Sequence, residues 1–294
     1  MQTRERPLWI WIDAAATCNL ACKLCYTAPM RSKSLMPLAV FDTVLARLHA
    51  TSARVIKLHL NWRGEPTSNP RLSDMLARLA DVDWDVEWHT NATLITPRRA
   101  DGIVNANPKQ RIWVSLDGGN APSFEENRGA GMWSKALAGA EALILARGRR
   151  RRPEIGIYQL DLGVPNDEYD GRFVALTKRV DQHVVERPVD LDGGSLQPTL
   201  GHSPIPRGPC FWVGNTLAID VQGQAWTCLL RKGTRLGSLL EQEADELLQQ
   251  AVSMRTTIER EGRTAIPGCA TCRKKEGSAK LVGGEPGEIP VPLS

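Results

Sequence analysis

Hydrophobic and polar residues alternate along the first two thirds of the chain in a pattern that switches between two periods. Period-two runs predict strands at Leu8–Asp13, Val55–Asn61, Asp85–His89, Arg111–Leu116, Glu154–Asp161 and His183–Arg187. Between them, apolar residues at helical spacing predict helices at Leu38–Ala50, Arg71–Ala80, Arg98–Ala106, Ser134–Arg147 and Asp167–Val180. Strand and helix in regular succession predict an α/β fold with a parallel sheet.

The strands carry a second message. Parallel strands buried on both faces usually read as unbroken apolar runs, and these do not. Ile56, Leu58 and Leu60 alternate with Lys57, His59 and Asn61. Val86 and Trp88 alternate with Asp85, Glu87 and His89, and Ile112, Val114 and Leu116 with Trp113, Ser115 and Asp117. In the fifth strand, Gly156, Tyr158 and Leu160 oppose Ile157, Gln159 and Asp161. One face of each strand is expected to take the helices and the other to line a polar interior. The aliphatic filling of a closed barrel would read differently. Polar residues also gather at the C-terminal strand ends, where α/β folds place their ligands. His59, Glu87, His89 and Asp161 are therefore candidate bases or substrate ligands. A carboxylate-bearing interior (Asp85, Glu87, Asp161, Glu186) is expected to suit a cationic substrate. Trp62 and Trp113 adjoin that interior, while the other tryptophans read as packing.

After about residue 190 the pattern changes. Leu191–Pro209 is rich in Gly, Pro and Ser and reads as a linker. Phe211–Asp220 and Gln224–Leu229 flank Val221-Gln222-Gly223, a hairpin signal, and Ser238–Ser253 reads as an amphipathic helix. The expected division is a large unit over 1–195, a small one over 196–276 and a loose tail over 277–294.

Composition narrows the class. The 294 residues carry a formal net charge of +4, which calls for neither nucleic acid nor an acidic surface as partner. The one basic run, Arg149–Arg152, lies between Gly148 and Pro153 and reads as a solvated turn. No apolar stretch is long enough to span a membrane, and the N-terminus lacks a signal-peptide pattern. Seven cysteines without an export signal point to metal ligation in a reducing cytoplasm.

Three of them, Cys18, Cys22 and Cys25, form a C-x3-C-x2-C triplet followed by Tyr26. A cubane iron–sulfur cluster takes four thiolates, so a triplet leaves one iron open for chemistry. The other four form C-x12-G-x4-C over Cys210, Gly223 and Cys228, then Cys269-Ala-Thr-Cys272. The hairpin brings Cys210 and Cys228 together and the C-x2-C knuckle completes a four-thiolate set. On spacing alone that set favours a structural zinc ribbon.

The triplet, the aromatic after it and the strand before it resemble the radical S-adenosylmethionine (radical SAM) superfamily. The resemblance implies a partial (β/α)6 TIM-like barrel with a small Twitch/SPASM-like hairpin and helix extension. It implies two 4Fe–4S clusters, an open one at the triplet that binds SAM and an auxiliary one at the later four cysteines. It also implies SAM contacts at Gly64 and Glu65, in a place where relatives have Gly-Gly-Glu and this chain has Arg63-Gly64-Glu65. Thr90 and Asn91, Ser115 and Asp117 (toward the ribose), and Arg128 (toward the SAM carboxylate) complete the implied set. Asn19 and Lys23 are expected to orient the cluster loop. The seven-cysteine layout is similar to that of 2-deoxy-scyllo-inosamine dehydrogenases, which implies a two-electron oxidation of an amino sugar or aminocyclitol. Three plus four accounts for every cysteine, so no thiol is left to return a hydrogen atom, as a radical epimerase needs. A flavodoxin- or ferredoxin-type electron donor is the implied partner, beside a small-molecule or short-peptide substrate. Peptide modification is the second reading; only seven residues precede the first strand, too few for a leader-recognition domain. A non-catalytic zinc or electron-carrier protein is the third.

Overall fold

The computed structural model describes residues 7–186, 205–229 and 233–272. The linker within 187–204 and the 277–294 tail lie outside them. Strand β1 (Pro7–Ile12) is followed by α1 (Leu38–His49), β2 (Arg54–His59), α2 (Leu72–Arg78), β3 (Asp85–Thr90), α3 (Pro97–Ala106) and β4 (Arg111–Ser115). Then come α4 (Ala121–Arg128), α5 (Trp133–Arg147), β5 (Glu154–Leu160), α6 (Gly171–Thr177) and β6 (Gln182–Glu186). The C-terminal part adds β7 (Thr216–Ile219), β8 (Gln224–Trp226), β9 (Arg235–Ser238) and α7 (Ala244–Glu261).

Among the described residues the strands form one sheet in the order β6-β5-β4-β3-β2-β1-β7-β8-β9. Strands β1 to β6 are parallel and unclosed, the partial barrel that the resemblance implied. β7 pairs parallel with β1, Trp9 opposite Thr216 and Ile12 opposite Ile219, and β8 and β9 continue antiparallel. The C-terminal strands therefore extend the barrel sheet directly.

Alternation decides what each strand face meets. Leu8, Ile10, Ile12, Leu58, Val86, Trp88, Ile112, Val114, Ile155 and Ile157 pack with the helices in the main core. Each such buried side chain contributes about 1.5–3 kcal/mol. Trp88 is fully buried and donates its ring N–H to Gln110 (2.7 Å), so its polar atom is not lost. The opposite faces of β2, β3 and β4 carry Lys57, His59, Glu87, His89, Trp113 and Ser115 into the interior, as the period predicts. A register shift in the β1–β2 pairing turns Ile56 away from the Leu58 face, toward the Trp9–Trp11 cluster.

The fifth strand reverses the expected facing. Tyr158 and Leu160 join Trp113 inside, while Ile157 faces the helices. Gln159 turns the same way as Ile157 and donates to the Tyr169 hydroxyl at 3.0 Å. Gly156 explains the arrangement: a Cβ there would lie 2.4 Å from the Trp113 ring. The absent side chain is filled by tryptophan from the neighbouring strand. Gly156→Ala is expected to cost about 1–3 kcal/mol by forcing that ring aside. A guanidinium denaturation midpoint equal to wild type would refute it.

Three elements differ from the pattern reading. α4 was not anticipated, since its sequence Ala-Pro-Ser-Phe-Glu-Glu-Asn-Arg buries only Phe124 and Asn127. It forms because the Asn120 side chain caps it, accepting from the Ser123 amide at 3.1 Å. β9 is too short to alternate, and it occupies Arg235–Ser238, so the last helix begins at Ala244. α6 starts at Gly171 because Asp170 caps it, accepting from the Arg172 amide at 2.7 Å.

Candidate functional site

The loop after β1 carries Cys18, Cys22 and Cys25 to the mouth of the barrel. All three thiols line one cleft of about 950 Å³, measured out to its open mouth. Tyr26, His59, Gly64, Glu65, His89, Thr90, Asn91, Ser115 and Arg128 line it too, so most of the expected site residues share one space. Burial pushes the Cys18 thiol up to about 11 and raises Cys22 as well. A buried thiol is stable neutral unless a cationic group arrives to hold its thiolate.

The strand ends are bound to that loop. Glu65 accepts from the Thr67 amide (3.1 Å) and hydroxyl (2.6 Å), the Thr90 hydroxyl (2.6 Å) and the Asn91 amide (2.7 Å). Its carboxylate is thereby saturated and ties the β2 end to the β3 end. Asn91 donates to Asn19 at 3.1 Å and reaches Cys18 Sγ at 3.8 Å. Ala92 follows at φ 57°, the left-handed conformation that favours glycine. Ala92→Gly is accordingly expected to raise stability by about 0.5–1 kcal/mol, read as a higher thermal midpoint. An unchanged or lower midpoint would count against strain at this residue.

Asp117 and Arg128 face each other. The guanidinium grips the carboxylate through Nε (2.6 Å) and Nη2 (3.0 Å), and Asn127 donates to it at 2.7 Å. Asp117 is fully buried. Burial opposes the Arg128 charge, but the Asp117 carboxylate holds its pKa above the usual arginine range. Asn127 also accepts from the Leu24 amide (3.1 Å), and its carbonyl accepts from the Lys23 amide (2.9 Å), so this unit pins the cluster loop. Lys23 pairs with Glu126 on the exposed side.

Arg63 stands where the resemblance implied glycine. Its side chain reaches Asp13 at 2.7 Å and lies 3.8 Å from Asp220, beside the C-terminal hairpin. Burial raises the Asp13 carboxyl to about 6 against the pull of Arg63. The neighbouring Trp62 donates its ring N–H to the Leu229 carbonyl at 2.8 Å.

Below the cleft the interior charges are paired. Lys57 bonds Glu87 (3.1 Å) and Asp85 (3.0 Å), and Arg111 bonds Glu154 (2.7 Å) and Glu87 (3.3 Å). Burial alone would raise Glu87, but the charges of His59 and Lys57 bring it down to about 2. His59 Nδ1 lies 3.2 Å from Glu87, and its ring stacks on Trp11 at 4.3 Å. Burial depresses His59 to about 3 and His89 to about 4, so both imidazoles are neutral near pH 7. Both nitrogens of His59, His89 Nε2, Trp113 Nε1 and Tyr158 Oη are buried without a well-formed hydrogen bond.

Four expected residues do not line the cleft: Asp117, buried against Arg128; Glu87, paired with Lys57; and Asp161 and Asp85. Asp161 lines a separate hollow on the helix side with Gln159, Tyr169 and His183, and is not part of the cleft. The reversed facing of β5 is the reason. Asp85 lies at the start of its strand, with its side chain 42% exposed. The sequence reading also missed Arg31, whose guanidinium touches Cys25; a lone arginine in an aperiodic loop gives no signal.

The second set of cysteines, Cys210, Cys228, Cys269 and Cys272, lines a small hollow with Trp212, Val213, Ile258 and Arg263, about 400 Å³ only when measured out to its open mouth. Burial pushes Cys269 up to about 11. No disulfide joins any of the seven cysteines. Among the described residues no three His, Cys, Asp or Glu are drawn around a single-ion position. Three soft thiols around the cleft fit an iron–sulfur cluster with an open position, and the four around the second cavity fit either zinc or an iron–sulfur cluster.

With this geometry in view, the chain can be set beside known proteins. Residues 14–150 match the Radical SAM superfamily. Among curated proteins it is 31% identical over 140 residues to an AdoMet-dependent heme synthase of Methanosarcina barkeri. That alignment covers 47% of this chain and 39% of the relative's length. Among solved structures it is similar to BtrN in complex with AdoMet and 2-DOIA, with TM-score 0.58, 16% identity and coverage of 90% and 92%. It is likewise similar to anSMEcpe with bound AdoMet, with TM-score 0.64, 17% identity and 92% of each chain covered. Streptococcus suis SuiB bound to the precursor peptide SuiA follows, with TM-score 0.64, 13% identity and coverage of 94% and 73%. These structures share the fold.

Proposed function

We propose that the protein uses SAM, at a 4Fe–4S cluster held by Cys18, Cys22 and Cys25, to dehydrogenate a small hydroxylated substrate of the amino sugar or aminocyclitol type. When bound, the cluster supplies the electron that cleaves SAM to a 5′-deoxyadenosyl radical. The rest is the work of the chain. Arg128 and Ser115 face the space where SAM would lie, and the Gly64 backbone carries the β2 end to it. A second cluster at Cys210, Cys228, Cys269 and Cys272 is part of the same reading, as is a flavodoxin- or ferredoxin-type donor.

One observation supports the substrate class: both ring nitrogens of His59 and Nε2 of His89, two residues that line the cleft, lack a well-formed hydrogen bond, as do Trp113 Nε1 and Tyr158 Oη, whose rings pack against His89. A buried polar atom left unpaired costs about 1–3 kcal/mol, so a polar ligand or water that reaches these atoms is favoured. Trp113 can only donate, whereas a neutral imidazole offers an acceptor. Hydroxyl groups, which do both, suit such a mixture. Asp85 and Glu87, by contrast, are already paired with Lys57 and Arg111, so recognition rests on these neutral rings more than on either of those carboxylates. His59 and His89 are the neutral proton acceptors of the cleft, with Glu87 behind His59 to steady the imidazolium.

A peptide substrate is the second reading, supported by the likeness to anSMEcpe bound to the Cp18Cys peptide. Anaerobic reconstitution with dithionite or flavodoxin tests the core. The expected result is 5′-deoxyadenosine, with iron above four per chain. A colourless, zinc-only protein would refute it. Deuterium carried from a labelled aminocyclitol, but not from a labelled peptide, into 5′-deoxyadenosine separates the two substrates.

A further inference from the structure

Arg31 sits in the loop beyond the triplet and makes three directed bonds. Its Nη2 donates to Cys25 Sγ at 2.8 Å, its Nη1 to the Leu20 carbonyl at 2.7 Å and its Nε to the Arg63 carbonyl at 3.1 Å. The guanidinium thus spans the cluster loop and the β2 end. Thr27 also lies 3.2 Å from Cys25 Sγ, but its hydroxyl donates to the Arg63 carbonyl at 3.1 Å. A hydroxyl has one proton to give, so Arg31 is the donor that Cys25 receives.

The three thiols are consequently unequal. Cys18 meets a neutral amide from Leu20 at 3.4 Å and the long Asn91 contact at 3.8 Å. Cys25 meets a full positive charge along a hydrogen bond. Such charge-assisted bonds are about twice as strong as neutral ones. Hydrogen bonds to the sulfurs are among the factors that set the potential of an iron–sulfur cluster. Reduction adds an electron whose density is shared with the thiolate sulfurs, so a cationic donor there favours the reduced state.

We propose that Arg31 is a positioning residue that raises the reduction potential of the SAM-binding cluster through Cys25, easing the one-electron transfer from the external donor. The electron comes from a low-potential flavodoxin- or ferredoxin-type protein and the cluster is reduced by one electron, with no bond made or broken at Arg31. The inference rests on Cys25 being a cluster ligand, as the preceding section reads it.

The test is a redox titration of the reconstituted holoenzyme, following the part of the EPR signal that changes on adding SAM. Arg31→Gln removes charge and direction together, and a tenfold loss of reducibility is expected, a midpoint 59 mV lower. Arg31→Lys keeps a charge that cannot serve three acceptors at once, and about a threefold loss is expected, near 28 mV by the same conversion. If the Gln variant fails to load a cluster, the Lys variant decides alone. A midpoint equal to wild type in every variant that loads, even with less iron retained, overturns the proposal and leaves Arg31 a structural clamp. The absence of any SAM-responsive signal in wild type would instead sink the cluster reading itself.

Discussion

Gly64→Ala is expected to reduce 5′-deoxyadenosine formation at least about 100-fold, the loss that a misplacement near 1 Å can bring. The cause is proximity, since Gly64 has no positive φ to explain it. A Cβ there would meet the Ala15 carbonyl at 2.2 Å, the Thr17 carbonyl at 2.3 Å and the Thr17 nitrogen at 2.8 Å. All three are backbone atoms of the segment leading into Cys18, so no side chain can rotate away. The Glu65 amide also donates to the Thr17 carbonyl at 2.9 Å, which fixes the approach. Relief requires the 63–65 segment and the cluster loop to part, taking the SAM-facing backbone with them. Gly102→Ala supplies the control: its Cβ would meet only Ser73 Oγ at 3.3 Å, inside α3 where alanine is favoured. Anaerobic product assays on both variants, with iron measured in parallel, check the contrast. Turnover by Gly64→Ala within threefold of wild type would show that the two segments are not locked together.

Acid is expected to destabilise the protein below pH 6.5 by more than surface groups can explain. His59 and His89 have folded pKa values near 3 and 4, below the ordinary 6.5. Between those limits the unfolded chain binds the extra protons, so stability is full above pH 6.5 and falls as pH drops. Over the full window, down to about pH 3, the combined loss is on the order of 8 kcal/mol. Glu87, held near 2 against an ordinary 4.5, extends the loss to lower pH. Asp13 acts in the opposite sense, because its carboxyl is raised to about 6. It gains relative stability as pH falls through 6 toward 3.8, and offsets part of the histidine loss. Denaturation midpoints between pH 7.5 and 5, compared with a His59→Asn, His89→Asn double variant, isolate the two imidazoles. Cluster loss is common to both proteins, so only the histidine contribution differs. Equal slopes would mean that neither imidazole is held neutral by its surroundings.

The strands and the interior were legible where period two holds without interruption. β2, β3 and β4 put His59, Glu87, His89 and Ser115 on the inner face as their alternation demands. β5 obeys the same period with the opposite phase. A glycine and a leucine look indifferent to facing until Trp113 is seen filling the space above Gly156. Asp161 was misplaced by that phase error. The cysteine pattern pointed to both thiol cavities because spacing carries ligand sets even when structure is unknown. The partners of Glu65, Asp117 and Arg63 were not legible. They include side chains far apart in the chain, as Asp13 with Arg63, loop amides, as Asn91 on Glu65, and pairs held by irregular turns, as Asp117 with Arg128. Such pairings leave no periodic trace. α4 and β9 failed for a simpler reason: one lacks an apolar stripe and the other is too short to show any.

The pairing of β7 with β1 has a mechanical meaning. β1 leads directly into the triplet loop, and β7 lies between Cys210 and Cys228. A single hydrogen-bonded seam, with Trp9 opposite Thr216 and Ile12 opposite Ile219, therefore spaces one thiol cavity from the other. Trp11 and Trp212, 5.1 Å apart, fill the ground between them. The two cavities ride on the same rail, at a separation that opening or closing the barrel mouth would not alter. On the barrel side, movement to admit a substrate is least restrained at the far edge, by β6, beyond which no strand pairs among the described residues.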